Sequence, residues 1–184
     1  MFLQHGLVSC SETWVGSKEY SWGKYLSDLG YDVWMGNNRG NIYSRGHEVL
    51  TADNDEYFDF SFYELGAYDL TAMVDYVRGF TGQDKIAYIG HSQGTTQMFS
   101  ALSENKGGLK RKINAFIALA PVMNLGNTQD EFLLMLSKNV NSYHTLLDFF
   151  GITEFFGANW SYVSAAFCYW NQDFCRTASG FDEL

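Results

Sequence analysis

Residues 85–98 read Lys85-Ile86-Ala87-Tyr88-Ile89-Gly90-His91-Ser92-Gln93-Gly94-Thr95-Thr96-Gln97-Met98. A short apolar run, Ile86 to Ile89, meets Gly90-His91-Ser92-Gln93-Gly94, and a helix-compatible segment continues to Ser103. This is a Gly-x-Ser-x-Gly pattern in a strand–turn–helix context. A serine on so tight a turn takes strained backbone angles, and neighbouring backbones close in around it. Gly90 and Gly94 bring no β-carbon into that crowding. The hydroxyl then stands at the C-terminal edge of a sheet, over a helix N-terminus whose dipole favours developing negative charge. The pattern nominates Ser92 as a nucleophile. The flanking strand and helix favour this over the bland alternative, a small-residue turn that packs a helix on a strand. A serine alone is a weak nucleophile and needs a base.

Outward from this turn, strand and helix signals alternate. Phe2–Gln4 reads as a strand. Residues 19–29 read as a helix with Trp22, Tyr25, Leu26 and Leu29 on one face and Gly30 as its stop. Residues 31–35 read as a second strand, followed by a long loop rich in glycine and asparagine. Ser61 opens a helix through Phe80, and Glu64 three residues on completes a capping box. Leu65, Tyr68, Leu70, Met73, Val74 and Val77 recur at helical spacing, and Thr81-Gly82 ends the run. Residues 113–120 form another apolar strand, closed by Pro121. Such alternation predicts an α/β chain with a mainly parallel sheet flanked by helices. Residues 1–121 are expected to form this core. Residues 122–184 lose the alternation and are expected to form a helical cap over the sheet's C-terminal edge, where loops build sites.

Composition narrows the function classes. The chain has 184 residues, 46% hydrophobic and 17% aromatic, enough to bury a sizeable core. Its formal net charge of −9 argues against nucleic-acid binding and against electrostatic docking on anionic lipid. Apolar docking to a lipid surface stays open. No stretch reaches transmembrane length, because Asp148, Glu154, Asn159 and Asn171 interrupt the apolar C-terminal third. Three cysteines, Cys10, Cys168 and Cys175, match no zinc spacing. A Cys168–Cys175 disulfide and buried free thiols both fit the sequence. Met1 leads into Phe2-Leu3-Gln4 without the charged and apolar regions of a signal peptide. The terminal Phe181-Asp182-Glu183-Leu184 looks like a retention signal, but its phenylalanine start makes coincidence the better reading.

A second element supports catalysis. Phe2-Leu3-Gln4-His5-Gly6-Leu7 is a strand that ends in a His-Gly turn. In this architecture the loop after an early strand donates one backbone N–H to an oxyanion hole, and the residue after the nucleophile donates the other. Here those donors would be Leu7 and Gln93. His5 is expected to make a structural hydrogen bond rather than serve as general base. Asn37 and Arg39 are expected to satisfy buried backbone. Asp69 is expected to be a local cap or a buried hydrogen-bond acceptor.

Taken together, Phe2–Leu7, Gly30-Tyr31-Asp32-Val33-Trp34-Met35-Gly36-Asn37, Arg39-Gly40-Asn41, Ser44-Arg45, Tyr68-Asp69-Leu70, Thr81-Gly82-Gln83, Gly90–Thr96 and Ala118-Leu119-Ala120-Pro121 resemble the acid lipase family of α/β-hydrolases. The Trp34-to-Arg45 stretch is more specific than the serine motif. The resemblance spans residues 2–125 in the family's order and is weaker beyond. It implies hydrolysis of a neutral lipid ester, a triacylglycerol or steryl ester, at a lipid–water interface. Ser92 would be the nucleophile, Leu7 and Gln93 the oxyanion donors, with no metal or cofactor. It also implies a secreted or lysosomal setting.

The acid and base are the open point. The family order is Ser, then Asp or Glu, then His. One histidine, His144, follows Ser92. Asp130, Asp148, Asp173 and Asp182 are candidate acids. Asp130 with His144 satisfies the order, yet both fall in the cap-like segment. The resemblance instead implies a fragment, with the acid and histidine in a continuation past Leu184 and further strands before Met1. Two other readings stay open: a non-catalytic lipid-binding product, and another activity on the same nucleophile, such as acyl transfer.

Overall fold

The computed structural model describes residues 1–124, 126–129, 134 and 137–141. The chain divides into two compact units, Met1–Leu134 and Met135–Leu184. The first is a four-stranded parallel sheet: β1 (Phe2–Gln4), β2 (Trp34–Gly36), β3 (Ile86–His91) and β4 (Ile113–Leu119), in the order β2-β1-β3-β4. Of the second, only residues 137–141 are described. The expected cap therefore lies largely outside the described residues. So do His144, the cysteines Cys168 and Cys175, and the carboxylates Asp130, Asp148, Asp173 and Asp182.

Helices cover both faces of the sheet, as the alternation predicts. On one face Phe2, Ile86 and Tyr88 pack with Leu70, Val74, Val77, Met98 and Ala101. Leu3 and Ile89, the next residue along each strand, pack on the other face with Trp14 and Leu26. This is the period-two alternation of a strand buried on both sides. Each such side chain contributes about 1.5–3 kcal/mol by leaving water.

The helix α1 spans Trp22–Asp28, with Ser21 as its N-cap and Gly30 beyond it in the left-handed region. Only part of its expected apolar face turns inward. Leu26 and Gly23 are buried, while Trp22, Tyr25 and Leu29 are each half exposed or more. Gly23 explains the turn: a β-carbon there would lie 2.9 Å from the Trp14 carbonyl oxygen. The helix rests its backbone, not its large side chains, against the neighbouring turn.

The helical run after Ser61 carries the expected capping box. The Ser61 Oγ accepts the Tyr63 N–H at 3.1 Å, and the Glu64 carboxylate accepts the Ser61 N–H at 2.7 Å. The run is not uniformly α-helical. α2 (Phe62–Glu64) passes into a π-helical segment, Leu65–Leu70, before α3 (Thr71–Thr81). Gly66 in that segment meets α4 (Gln93–Glu104), where a β-carbon would lie 2.5 Å from the Gln97 carbonyl oxygen. Gly82 ends α3 at φ 70°.

Candidate active site

The sheet order places the site. The chain leaves β1 toward β2 on one side, and leaves β3 toward β4 on the other. The reversal lies between β1 and β3, and ligands of open α/β sheets bind outside the strand ends at such a point. Gly6 follows one of these strands and Ser92 the other.

Ser92 is the residue between β3 and α4, at φ 51° and ψ −117°. No L-residue rests easily there, and such conformers cost on the order of 1–3 kcal/mol. Surrounding contacts hold it. Its N–H donates to the Leu119 carbonyl at 3.0 Å, and its carbonyl accepts from the Thr95 N–H at 2.8 Å and the Thr95 hydroxyl at 2.7 Å. Thr95 Oγ1 in turn accepts the Val122 N–H at 2.9 Å, and Thr96 donates to the Val122 carbonyl. Val8 (φ 47°) and Ala120 (φ 46°) are also left-handed. Strain thus collects after β1, β3 and β4, at one edge of the sheet.

Both glycines of the motif are crowded by backbone. A β-carbon on Gly90 would lie 2.7 Å from the Gly94 carbonyl oxygen, which also accepts the Tyr88 hydroxyl at 2.7 Å. Full burial pushes the Tyr88 phenol well above its ordinary pKa, so it serves as a neutral donor.

Gly6 brings the first loop to the serine. A β-carbon on Gly6 would lie 3.1 Å from Ser92 Cβ and 3.3 Å from the His91 carbonyl oxygen. Leu7 follows directly, and Gln93 opens α4. Among the described residues, the backbone N–H of neither Leu7 nor Gln93 has an acceptor. The two residues expected as donors thus directly follow Gly6 and Ser92, the residues that meet there.

His5 is buried, 2% exposed, with both ring nitrogens engaged. Nδ1 lies 2.8 Å from the Gly6 carbonyl oxygen, and Nε2 receives the Asn38 N–H at 3.2 Å. Burial lowers its pKa, against a smaller opposing effect of the Gly6 carbonyl. A base for Ser92 needs a free ring nitrogen, and His5 has none, so the structural expectation holds. His47 has its Nδ1 engaged, accepting the Leu50 N–H at 2.9 Å. Among the described residues, no imidazole is hydrogen-bonded to the Ser92 hydroxyl.

The loop after β2 behaves partly as expected. Asn37 Oδ1 accepts the Ser11 N–H at 2.9 Å, which satisfies backbone. Arg39 does something else: its guanidinium pairs with Asp69 at 2.5 Å, and the same carboxylate accepts the Arg39 N–H at 2.8 Å. Asp69 is therefore the hydrogen-bond acceptor that one of its two expected roles made it, but as a long-range clamp from the π-helical segment rather than a local cap. Sequence reasoning missed Asn38 and Asn41, which both reach His5. Their one signal was an asparagine-rich loop directly after a strand. A cavity of about 670 Å³ opens beside this loop, lined in part by Arg39, Tyr57, Phe60 and Met73, and not by Ser92, Gln93 or Leu7. Among the described residues, no group of His, Cys, Asp or Glu side chains is placed to hold a metal, and no helix is long and apolar enough to cross a membrane.

Comparison with known proteins agrees with this geometry. The α/β hydrolase fold model matches residues 1–150. The chain is 40% identical over 167 residues to lipase lipl-5 of Caenorhabditis elegans, covering 90% of this chain and 41% of that protein. It is 42% identical over 166 residues to gastric triacylglycerol lipase of Rattus norvegicus, covering 84% of this chain and 42% of the relative. It is 41% identical over 156 residues to human lysosomal acid lipase/cholesteryl ester hydrolase, covering 84% and 38% respectively. The chain thus spans about 40% of the length of these relatives. With a parallel sheet, a strained serine at its switch point and this match, the chain belongs to the α/β-hydrolase fold family, as a homologue of the gastric and lysosomal acid lipases.

Proposed function

We propose that this chain carries the nucleophile and oxyanion hole of a lipid ester hydrolase acting on a triacylglycerol or steryl ester. The observation that carries the reading is Ser92 at φ 51° on the β3–α4 turn, with Gly6 packed against it. The Ser92 Oγ attacks the ester carbonyl carbon, and the carbonyl oxygen becomes an oxyanion. The Leu7 and Gln93 N–H groups receive that charge, aided by the N-terminus of α4. Collapse expels the alcohol and leaves an acyl-Ser92 ester, which water then hydrolyses. The proton from Ser92 needs a base that the described residues do not supply.

The substrate class rests on the relatives, whose names are those of triacylglycerol and cholesteryl ester lipases. Apolar side chains at the strand ends support work at a lipid–water interface: Leu7, Val8, Ile42 and Met123 are all more than 60% exposed. The relatives' gastric and lysosomal names support a secreted or lysosomal setting.

The test is labelling with an active-site-directed fluorophosphonate, with the adduct mapped by mass spectrometry, and turnover of esters of graded chain length. We expect the adduct on Ser92 and a preference for long, water-insoluble esters. No adduct and no turnover would leave a non-catalytic lipid-binding chain. Preference for short soluble esters, or for an acceptor other than water, would replace the lipase reading by another activity on the same serine.

A further inference from the structure

We propose that His5 is a positioning residue: locked as its Nδ1–H tautomer by the loop after β2, it holds the Gly6 carbonyl and so aims the Leu7 N–H. This rests on the reading of Leu7 as an oxyanion donor.

The tautomer follows from the donors around the ring. The Asn38 backbone N–H can only donate, and it points to Nε2 at 3.2 Å. Asn41 adds a second donor. Its Oδ1 accepts the Tyr43 N–H at 2.9 Å, which fixes the amide and leaves Nδ2 facing His5 Nε2 at 3.3 Å and Asn37 Oδ1 at 2.8 Å. A ring nitrogen that accepts carries no proton. The neutral ring therefore carries its proton on Nδ1 and donates it to the Gly6 carbonyl at 2.8 Å.

That bond orients a plane. The Gly6 carbonyl and the Leu7 N–H belong to one peptide group, and among the described residues no peptide is cis. In a planar trans group the two point in opposite directions. Holding the carbonyl toward the buried ring turns the N–H away from it. The same peptide group begins at Gly6, in contact range of Ser92 Cβ. The clamp is itself anchored, since Gln4 Nε2 donates to Asn38 Oδ1 at 3.1 Å and Asn37 is tied to Ser11. The loop after β2 thus sets the donor on the loop after β1 through His5.

Two substitutions separate the ring's two roles. His5→Asn places an amide where Nδ1 stands and keeps a donor for Gly6. His5→Gln reaches toward the Nε2 position and loses that donor. In the full chain, we expect His5→Gln to slow fluorophosphonate labelling of Ser92 by roughly 100-fold, the scale of one lost oxyanion donor. The loss should fall on the inactivation rate constant and not on the probe's binding constant. His5→Asn should recover most of it. Long-range ¹⁵N–¹H spectra of the wild-type imidazole should show Nδ1 protonated and Nε2 bare. A proton on Nε2, or His5→Gln labelling at the wild-type rate, would overturn the proposal. A wild-type chain that does not label at all would sink the hydrolase reading instead. The Leu7 amide resonance then decides this one: it shifts in His5→Gln and returns in His5→Asn if His5 sets the plane, and a resonance unmoved in both refutes it.

Discussion

Gly94 stands so close to Gln4 that a β-carbon on it would lie 2.6 Å from the Gln4 carbonyl oxygen, and 2.8 Å from that of His5. Both neighbours are backbone of the central strand and its exit, so no rotamer change relieves the clash. We expect Gly94→Ala to destabilise the chain by about 1–3 kcal/mol, the usual cost of overpacking. Gly79 is the control. It lies inside α3 with open space around its missing side chain, and Gly79→Ala should stabilise by up to about 1 kcal/mol. Urea melts of the two variants check the contrast, and equal midpoints would contradict it.

Asp69 serves two groups of Arg39 at once, with its side chain only 10% exposed. Asp69→Ala leaves the Arg39 backbone N–H without its acceptor and the guanidinium without its partner. We expect a loss of about 1–3 kcal/mol. Arg39→Ala should cost less, because the backbone N–H keeps its carboxylate and the guanidinium side chain is 42% exposed. Thermal melts order the two variants, and a larger loss for Arg39→Ala would reverse the assignment.

This clamp also shows where the sequence stops being legible. The serine turn could be read directly, because Gly90 and Gly94 encode a local geometry within five residues. The capping box at Ser61 and Glu64 is local in the same way. Asp69 pairs with a residue thirty positions away, from within a π-helical segment that no spacing announced. Asn38 and Asn41 meet His5 only because β2 pairs beside β1. The face of α1 departs in part from its pattern for a related reason. Its large apolar residues suggest a core stripe, yet close backbone approach at Gly23 turns several of them to solvent.

His5 makes stability depend on pH. Burial holds its pKa below the ordinary 6.5, so the folded chain binds this proton less readily than the unfolded chain. As pH falls below that ordinary value, the unfolded state takes up a proton that the folded state refuses, and stability is lost. It returns as pH rises. The slope from this group approaches but does not exceed about 1.4 kcal/mol per pH unit. Urea midpoints at about pH 5 and pH 7 should rise with pH more steeply in the wild type than in His5→Asn. Parallel slopes would show that His5 titrates alike in both states.

Gly6 differs from Gly94 in how much its surroundings can give. A β-carbon there would meet Ser92 Cβ at 3.1 Å and His91 Nδ1 at 3.3 Å. Those distances are tight but need shifts of only a few tenths of an ångström. The fold should absorb them at a cost below that of Gly94→Ala. The oxyanion hole should not, since donors must sit about 2.7–3.1 Å from the developing charge. In Gly6→Ala the shift moves the Leu7 peptide relative to Ser92, the one separation that matters for that donor. We therefore expect near-wild-type melting with labelling of Ser92 slowed by at least about 10-fold. A variant that labels at the wild-type rate would detach Leu7 from the reaction, and one that fails to fold would make Gly6 a packing residue like Gly94.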